Sequence, residues 1–577
     1  MDQKRLFLAI AVSIAILLGF QFLMPKPLPK PVAPVETPVA GAPAVPSGAA
    51  GSAPSPVGET AAAAREVPRL RISAPRVQGS MSLQGARLDD LVLRDYRETI
   101  AKDSPLVELL EPLAQPQPYY VQFGWSAAPG TSAKLPDGDT IWTASAEELR
   151  AGSPVTLTWN NGEGLTFLID LAIDDNYMFT VNQRVRNDTG APVTLYPWSR
   201  IRRDYKPHIA GYYILFEGML GVEGGTLQEV GYDKAKSEGE KRGGLAYEYT
   251  ADGGWAGITD KYWLTALIPD QKVNSTVSFR HISEGGDKYQ VDYVPHDPQV
   301  VAPGTESSMA SRVFAGAKVV SLLDSYQREL GIPNFDKAVD FGWFYFLTKP
   351  MFYALDWLNS VLGNFGLAIL VFTVFVKLLF FPLANKSYKS MSKMKLLGPK
   401  MTALREKFKD DPQRMQSEMM ALYRTEKVNP ASGCLPMVIQ IPVFFSLYKV
   451  IFVTIEMRQA PFFGWIHDLS AVDPTNVFNL FGLLPFNPVL IFPFLHLGAW
   501  PLIMGFTMFF QQKLNPPPPD PVQARVFQFM PVIFTFMLAS FPAGLVIYWS
   551  WNNTLSMAQQ WLIMRRTRLG APKPVRT

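Results

Sequence analysis

The 577-residue sequence is poor in the residues that form disulfides, metal sites and charged surfaces. Its single cysteine, Cys434, excludes an intramolecular disulfide, so any exported part must be stabilised by its apolar core. Charged residues make up 18% of the chain, against about 25% in soluble domains. His208, His281 and His296 match no metal-ligand or catalytic-triad spacing, and no nucleotide-binding motif is present. An ordinary soluble enzyme is therefore excluded, and neither a cofactor nor a metal is expected.

The N-terminus combines a long apolar run with a proline-rich stretch. Leu6 to Met24 contains 19 uncharged residues. As a helix this run would extend about 28 Å, nearly the roughly 30 Å of a hydrocarbon core. We predict a membrane anchor over residues 1–24, with a cleaved signal peptide as the alternative. The ten prolines between Pro25 and Pro56 favour a disordered linker over residues 25–66.

Residues 67–317 alternate between apolar and polar side chains in short segments, such as Val155 to Trp159 and Met178 to Val185. Turn-forming sequences separate these segments every 8 to 12 residues, a pattern typical of a sandwich. We predict a large antiparallel β-sandwich that acts as a binding or scaffolding module. Core packing is the favoured role for its tryptophans and sugar stacking the alternative; they include Trp159, Trp198, Trp255 and Trp263.

Residues 318–350 change to helical periodicity and are rich in aromatic side chains. Amphipathic helices next to a membrane span are expected to lie in the interface, with their aromatic side chains towards the lipid. For Lys318 to Leu330, packing as a cap on the β domain is an equal alternative.

Five further membrane spans are predicted, which gives six transmembrane helices with the anchor. The predicted segments are TM2 at 351–383, a cytoplasmic hairpin at 384–430, TM3 at 431–456, a periplasmic loop at 457–494, TM4 at 495–511, a cytoplasmic loop at 512–525, TM5 at 526–541, TM6 at 542–564 and a basic tail at 565–577. Val477 to Phe494 is also apolar, but its three prolines disfavour a straight helix, so we predict an external or re-entrant segment.

The distribution of charge predicts the orientation of the chain. Residues 384–430 contain eleven basic and five acidic residues, and the tail after Met564 is basic without any acid. Since basic loops stay in the cytoplasm, both termini are predicted to be cytoplasmic and residues 67–317 periplasmic. The expected location is a bacterial inner membrane.

Several polar side chains interrupt the predicted spans. Lys377 is the most informative, because a lysine at this depth costs about 2.5–3.5 kcal/mol and usually faces water or a partner. The alternative is that it snorkels to the interface. The other candidates are Thr373 one turn before Lys377, Gln440 in TM3, and Tyr548, Trp549, Asn552 and Ser556 in TM6. Interhelical hydrogen bonding alone is an equal explanation for the glutamine and asparagine.

The predicted cytoplasmic insert has apolar residues at helical spacing from Met391 to Phe408, and again after Asp410-Asp411-Pro412. This spacing predicts a helical hairpin with a methionine-lined seam and basic outer faces. One role for this hairpin is contact with clients, anionic lipid or the ribosome. For the methionines, the alternative is that they only pack the two arms together. The candidate residues are Lys389, Met391, Met394, Lys395, Lys400 and Met401.

Several motifs between Gly363 and Gln560 resemble those of the bacterial YidC insertases of the YidC/Oxa/Alb family. They include Gly363-Asn364-Phe365-Gly366, Lys427-Val428-Asn429-Pro430, Gln440-Ile441-Pro442, Trp465-Ile466-His467-Asp468-Leu469-Ser470 and Phe541-Pro542-Ala543-Gly544-Leu545. The resemblance implies a non-enzymatic insertase and chaperone with a hydrophilic groove among five spans. Lys377 matches a position where the family usually has arginine. Lysine keeps the positive charge of arginine but lacks its planar guanidinium group.

The resemblance also implies partners: nascent membrane proteins, the Sec translocon and the ribosome, with no role for DNA. Two alternatives come from other functional classes. One is a channel or transporter that uses Lys377 as a selectivity charge. The other is a membrane-tethered carbohydrate-binding protein that acts through its β domain.

Overall fold

The computed structural model describes residues 67–209, 215–408, 411–426, 428, 435–490, 496–515 and 521–569. The predicted anchor and linker lie outside the described residues. The chain divides into two compact units. The β unit contains the described part of residues 42–365 with residues 442–471, and the helical unit contains the described part of residues 366–441 and 472–577. Each is described by itself.

Twenty strands are present in the described part of the β unit. They are β1 (Arg69–Ser73), β2 (Val77–Ser82), β3 (Arg87–Arg97), β4 (Leu106–Leu110), β5 (Tyr119–Ala127), β6 (Thr143–Ala144), β7 (Glu148–Arg150), β8 (Val155–Asn160), β9 (Leu165–Ile173), β10 (Met178–Asn187), β11 (Val193–Arg203), β12 (Gly218–Glu223), β13 (Thr226–Gly231), β14 (Leu245–Asp252), β15 (Ala256–Thr259), β16 (Trp263–Pro269), β17 (Asn274–Ile282), β18 (Lys288–Pro295), β19 (Gln299–Val301) and β20 (Thr305–Ala317).

These strands form two sheets, which confirms the prediction of a β-sandwich. The larger sheet has eleven strands in the order β14-β17-β18-β11-β5-β3-β2-β1-β7, with β19 paired to β11 and β4 to β3. The smaller sheet has nine strands in the order β13-β12-β15-β16-β20-β10-β9-β8-β6. The prediction of purely antiparallel pairing is wrong at one edge, where β1 and β7 run parallel.

Alternate side chains of the strands fill the space between the two sheets, as the period of two in the sequence requires. Trp125 of the larger sheet packs edge-to-face against Phe167 of the smaller sheet, with 5.1 Å between the ring centroids. Both rings are 2% exposed or less. The sequence pattern did not reveal α1 (Tyr232–Lys241), whose Tyr232 is buried against Tyr289.

Two further helices follow the last strand: α2 (Val320–Glu329) and α3 (Tyr345–Leu362). The Tyr326 ring of α2 packs at 6.1 Å from the Phe314 ring of β20, and its hydroxyl donates to Asp174. Since α2 buries its apolar side chains on the sandwich, it caps the β domain, which is one of the two alternatives that the sequence left open.

The remaining chain is helical. Its helices are α4 (Phe365–Leu379), α5 (Phe381–Leu396), α6 (Gly398–Lys407), α7 (Pro412–Thr425), α8 (Leu435–Val453), α9 (Ala499–Leu514), α10 (Pro521–Leu538) and α11 (Ala543–Leu569). Among the described residues, no single helix has both the length and the apolar composition needed to cross a membrane. Only α4 and α5 taken together meet these criteria, and they are bent by 68° at their junction.

The bend lies inside the segment predicted as TM2. The α4 helix ends at Leu379, four residues before the predicted end at Leu383. The chain breaks at Phe380, and Pro382 lies in the first turn of α5, where a missing backbone N–H is tolerated. Lys377 therefore lies two residues from the end of its helix rather than six.

The predicted continuous arm from Met391 to Phe408 is also broken. The α5 helix ends at Leu396 and α6 begins at Gly398, with Pro399 in its first turn. The break separates Met391 and Met394 on α5 from Met401 on α6. The segment predicted to be external or re-entrant rather than a straight helix is Val477 to Phe494. Its described part has short 3-10 turns at Val477–Gly482 and Pro488–Leu490 and no α-helix.

Candidate functional site

The candidate site is centred on Lys377 in the last turn of α4. Its ammonium Nζ donates to Ser556 Oγ of α11 at 2.7 Å, and the Ser556 hydroxyl donates to the Asn552 carbonyl at 2.7 Å. Lys377 is half-buried, whereas Ser556 is 3% exposed. This contact joins two of the predicted site residues that lie 179 positions apart in the chain.

A second polar pair joins α8 to α11. The Gln440 side-chain amide donates to the Tyr548 hydroxyl at 2.5 Å, and Tyr548 is 3% exposed. Both residues were candidates from the sequence, and here each satisfies the other. The interhelical hydrogen bond that the sequence left as an alternative role for Gln440 is therefore present.

Thr373 and Asn552 differ in how their polar atoms are used. Thr373 is buried and its hydroxyl donates to the Ile369 carbonyl of its own helix at 2.6 Å. Asn552 is partly buried, and its side-chain oxygen Oδ1 has no hydrogen-bond partner among the described residues. Because buried polar atoms nearly always have a hydrogen-bond partner, this oxygen is unusual among the polar atoms of the site.

Trp549 packs in an apolar cluster. It contacts the core formed by Met504, Leu538 and Val546, and its ring lies 6.3 Å from the Phe534 ring of α10. Its neighbour Asn553 donates to Thr507 of α9 at 3.2 Å. The structure thus assigns Trp549 to the packing of α9, α10 and α11, and does not bring it to the Lys377–Ser556 contact.

Two residues that contact Ser556 or α4 were not found from the sequence. Tyr388 of α5 is buried and interacts with the Ser556 hydroxyl. Trp551 of α11 donates its indole N–H to the Leu370 carbonyl of α4 at 3.1 Å. Tyr388 reaches Ser556 only because the chain bends at Phe380, and no sequence periodicity indicates that bend.

No carboxylate is present in the helices that surround this site. The sequences of α4, α5, α8, α9, α10 and α11 contain neither aspartate nor glutamate. Lys377 therefore has a hydroxyl partner in place of a counter-charge. Among the described residues, no group of His, Cys, Asp or Glu is arranged to hold a metal ion.

The predicted hairpin residues lie on α5 and α6. Lys389, Lys395 and Lys400 are exposed, while Met391, Met394 and Met401 are partly buried. Lys400 pairs with Glu426 at 2.7 Å, and the Tyr423 hydroxyl of α7 contacts the Met401 sulfur at 3.8 Å. On α6, Lys400 thus has an acidic partner and Met401 contacts a tyrosine of α7.

Comparison with known proteins gives two family models that together cover most of the chain. A model described as the YidC periplasmic domain matches residues 69–354, and one described as the 60Kd inner membrane protein matches residues 357–570. A protein of Granulibacter bethesdensis named membrane protein insertase YidC is 61% identical over 575 residues, covering 99% of both chains.

A protein of the same name from Acidiphilium cryptum is 58% identical and covers 88% of this chain and 86% of its own. A solved structure described as an active YidC insertase with its first transmembrane domain resolved covers 86% of this chain and 92% of its own, at 19% identity and a TM-score of 0.35. By its two matched domains and its high identity to these relatives, the chain belongs to the YidC membrane protein insertase family.

Proposed function

We propose that this chain inserts inner-membrane proteins and assists their folding, alone or together with the Sec translocon. The observation that carries this proposal is the contact between Lys377 and Ser556 in the helical unit. The helices around this contact contain no acidic residue. Membership of the YidC family supports the insertase activity. Lys377, Thr373, Gln440, Tyr548, Asn552 and Ser556 are proposed to line a hydrophilic groove, and Trp549 to support it from the packing side.

The proposed mechanism is physical rather than catalytic. Polar groups of a client cost several kcal/mol when they enter an apolar phase without hydrogen bonds, and the groove lowers this cost by offering partners. Lys377 attracts acidic or polar segments, and the Asn552 oxygen without a partner accepts a hydrogen bond. The apolar helix of the client then moves into lipid along the helices proposed as the third and fifth spans, driven by its own hydrophobicity.

The membrane topology is proposed from charge and from exposed apolar surface. Large apolar side chains are exposed on α4, α9 and α10, among them Phe375 at 61%, Phe506 at 63% and Phe529 at 62%. Exposed apolar surface of this kind suits contact with lipid. We propose six spans with the boundaries given above, both termini in the cytoplasm and the β domain in the periplasm.

The segment from α5 to α7 is proposed as a cytoplasmic hairpin. The exposed Lys389, Lys395 and Lys400 would contact anionic lipid or the ribosome, and Met391, Met394 and Met401 would contact apolar clients. Basic residues near a cytoplasmic leaflet gain about 1 kcal/mol each from anionic lipid.

The test is complementation of cells depleted of their own insertase, with insertion of a small single-span client as the readout. Lys377→Ala should reduce insertion about tenfold, because charged hydrogen bonds contribute about 1.5–3 kcal/mol. Lys377→Arg keeps the charge and should retain most of the activity. Normal insertion by the alanine variant would remove the central role of this charge.

Two further experiments separate the alternatives. A channel or transporter would show solute flux in proteoliposomes that depends on Lys377, with client insertion unchanged. A carbohydrate-binding protein that acts through its sandwich would lose its function when residues 67–313 are deleted. The insertase proposal expects most insertion to survive that deletion and no such flux.

A further inference from the structure

The segment before α9 exposes an unusual amount of apolar side chain. We call Val477–Leu490 the apolar loop. Its most exposed side chains are Leu483 at 82% and Leu490 at 85%. Five more large apolar side chains of the loop are exposed: Phe478, Leu480, Phe481, Leu484 and Phe486. No charged residue occurs from Pro474 to Leu495. Exposed apolar surface concentrated in this way marks a site of interaction.

The polar groups of the apolar loop are used within it. Three asparagines each accept a hydrogen bond from a backbone N–H group of the loop at 2.8–3.1 Å: Asn476 from Phe478, Asn479 from Gly482 and Asn487 from Val489. The Asn479 amide also donates to the Phe486 carbonyl at 3.4 Å, across the turn that contains Leu480 and Phe481. These two residues have left-handed backbone, with φ of 53° and 58°, which is uncommon for bulky side chains. Since the loop supplies partners for its own backbone, it loses few hydrogen bonds when it leaves water.

The base of the apolar loop is fixed at the start of α9. Asp473 is 1% exposed, and its Oδ2 atom accepts from the Trp500 backbone N–H at 2.9 Å. A carboxylate in this position stabilises the first turn of a helix. The Val477 backbone N–H donates to the Leu497 carbonyl at 2.8 Å. These contacts hold the loop beside the N-terminal end of α9.

The α9 helix is short for a membrane span. Its 16 residues extend about 24 Å, whereas a hydrocarbon core is roughly 30 Å thick. Lys513 is in its last turn, which the proposed topology places on the cytoplasmic side. The missing length of about 6 Å therefore lies on the periplasmic side, before Ala499. The apolar loop precedes α9 at this end, so the exposed apolar side chains of the helix, such as Phe506, continue in the loop.

We propose that the apolar loop binds lipid at the boundary between the head groups and the acyl chains of the periplasmic leaflet. There it completes the outer end of the span formed by α9. This inference rests on the topology proposed above. An interfacial segment buries its apolar side chains about 5–10 Å into this boundary, which matches the missing length of α9. A deeper position is excluded, because irregular backbone is not exposed to lipid within the hydrocarbon core. The loop is therefore neither external nor re-entrant.

Lipid suits this surface better than a protein partner does. Protein interfaces combine an apolar centre with a polar rim and with hydrogen bonds between the two chains. The apolar loop has no charged side chain, and its asparagines already accept hydrogen bonds from its own backbone. Binding to acyl chains requires only apolar surface, which the loop has.

The test is depth-dependent fluorescence quenching of the full chain in proteoliposomes. Cys434→Ser removes the single cysteine, and Leu483→Cys or Leu490→Cys then carries an environment-sensitive fluorophore. The quenchers are iodide on both sides of the bilayer, and lipids with a nitroxide either near the head group or near the end of the acyl chain. We expect the head-group nitroxide to quench both probes most strongly, with little loss of fluorescence in iodide.

Two further positions serve as matched controls. Ile100 is an apolar residue of the β unit that is 57% exposed, so a probe at Ile100→Cys should be quenched by iodide and not by the lipids. Phe506 is 63% exposed on α9, and a probe at Phe506→Cys should be quenched most by the nitroxide at the end of the acyl chain.

Three results for the loop probes would overturn the proposal. Strong quenching by iodide would make the loop external, and strongest quenching by the nitroxide at the end of the acyl chain would make it re-entrant. Protection from every quencher would mean that a protein covers it. Each of these results leaves the proposed topology intact as long as the Phe506 probe is quenched by lipid. Quenching of the Phe506 probe by iodide would contradict the topology itself, and the proposal with it.

Discussion

The two units each contain a lysine whose ammonium group donates to a hydroxyl, buried in the β unit and half-buried in the helical unit, and the surroundings of these lysines differ. In the β unit, Lys318 is 2% exposed and donates to Thr259 Oγ1 at 3.0 Å, with the carboxylates of Asp340, Asp260 and Glu217 near enough to influence its pKa. In the helical unit, Lys377 donates to Ser556 among helices without carboxylates. Lys318 therefore has carboxylates near its ammonium group within its own unit. Lys377 has none in the helices around it, which leaves its positive charge for an incoming acidic group.

The largest expected effect concerns the buried ion pairs of the β unit, in which the charged side chains have partners within the unit. Arg203 is 3% exposed and forms two hydrogen bonds of 2.7 Å with Asp260. Asp260→Leu leaves this arginine buried without its carboxylate partner and should lower the free energy of unfolding by about 3–5 kcal/mol. Chemical denaturation of the full chain, followed by β-domain fluorescence, measures the change.

Asp188→Asn supplies the control, because Asp188 forms an ion pair with Arg186 in which both side chains are 52% exposed. Its effect should stay below about 1 kcal/mol. Equal changes in the free energy of unfolding for the two substitutions would mean that a buried ion pair stabilises the β unit no more than an exposed one.

The next effect concerns the titration of Lys318. Burial lowers the pKa of Lys318 from 10.5 to about 8, partly opposed by the nearby carboxylates. Between these two values the unfolded chain binds more protons than the folded chain, so the free energy of unfolding should rise with pH, by up to about 1.4 kcal/mol per pH unit. Lys318→Met should lose this contribution and be more stable than the parent chain at pH 7.

Measurement of unfolding from pH 7 to pH 10 separates this lysine from the others. Lys272 is exposed, so Lys272→Met should keep the pH dependence of the parent chain. An unchanged pH dependence in Lys318→Met would show that the buried lysine does not change its protonation on folding.

The smallest effect is expected in the helical unit. Gln440→Leu and Tyr548→Phe, made singly and together, should give a coupling energy of about 0.6 kcal/mol, the average for hydrogen bonds between membrane helices. Unfolding of the full chain in lipid measures this energy. Asn553→Leu with Thr507→Val is the matched pair, because it removes another hydrogen bond of α11, in this case to α9. A coupling energy of several kcal/mol would contradict this prediction, because interhelical hydrogen bonds would then contribute much more to the stability of the helical unit.

Sequence reasoning was most successful where structure follows from local periodicity. The alternation from Val155 to Trp159 and from Met178 to Val185 predicted strands that the structure has as β8 and β10. The α10 helix ends at Leu538 and α11 begins at Ala543, on either side of the boundary predicted between residues 541 and 542. The bend at Phe380 was not predicted because Phe381, Pro382 and Leu383 continue the apolar run of α4, and hydropathy does not record a change of direction.

Contacts between distant residues could not be derived from spacing. The sequence indicated Lys377 and Ser556 separately, but only the fold brings them to 2.7 Å. The parallel pairing of β1 with β7 could not be predicted for the same reason, because strand register depends on pairing between segments that are far apart in the chain.

The central claim is that Lys377 acts on clients through its positive charge. The most direct measurement is insertion into proteoliposomes of two single-span clients that differ only in the exported segment, one acidic and one basic. The parent chain should insert the acidic client more efficiently, and Lys377→Glu should reverse this preference. The same preference in both chains would contradict the claim.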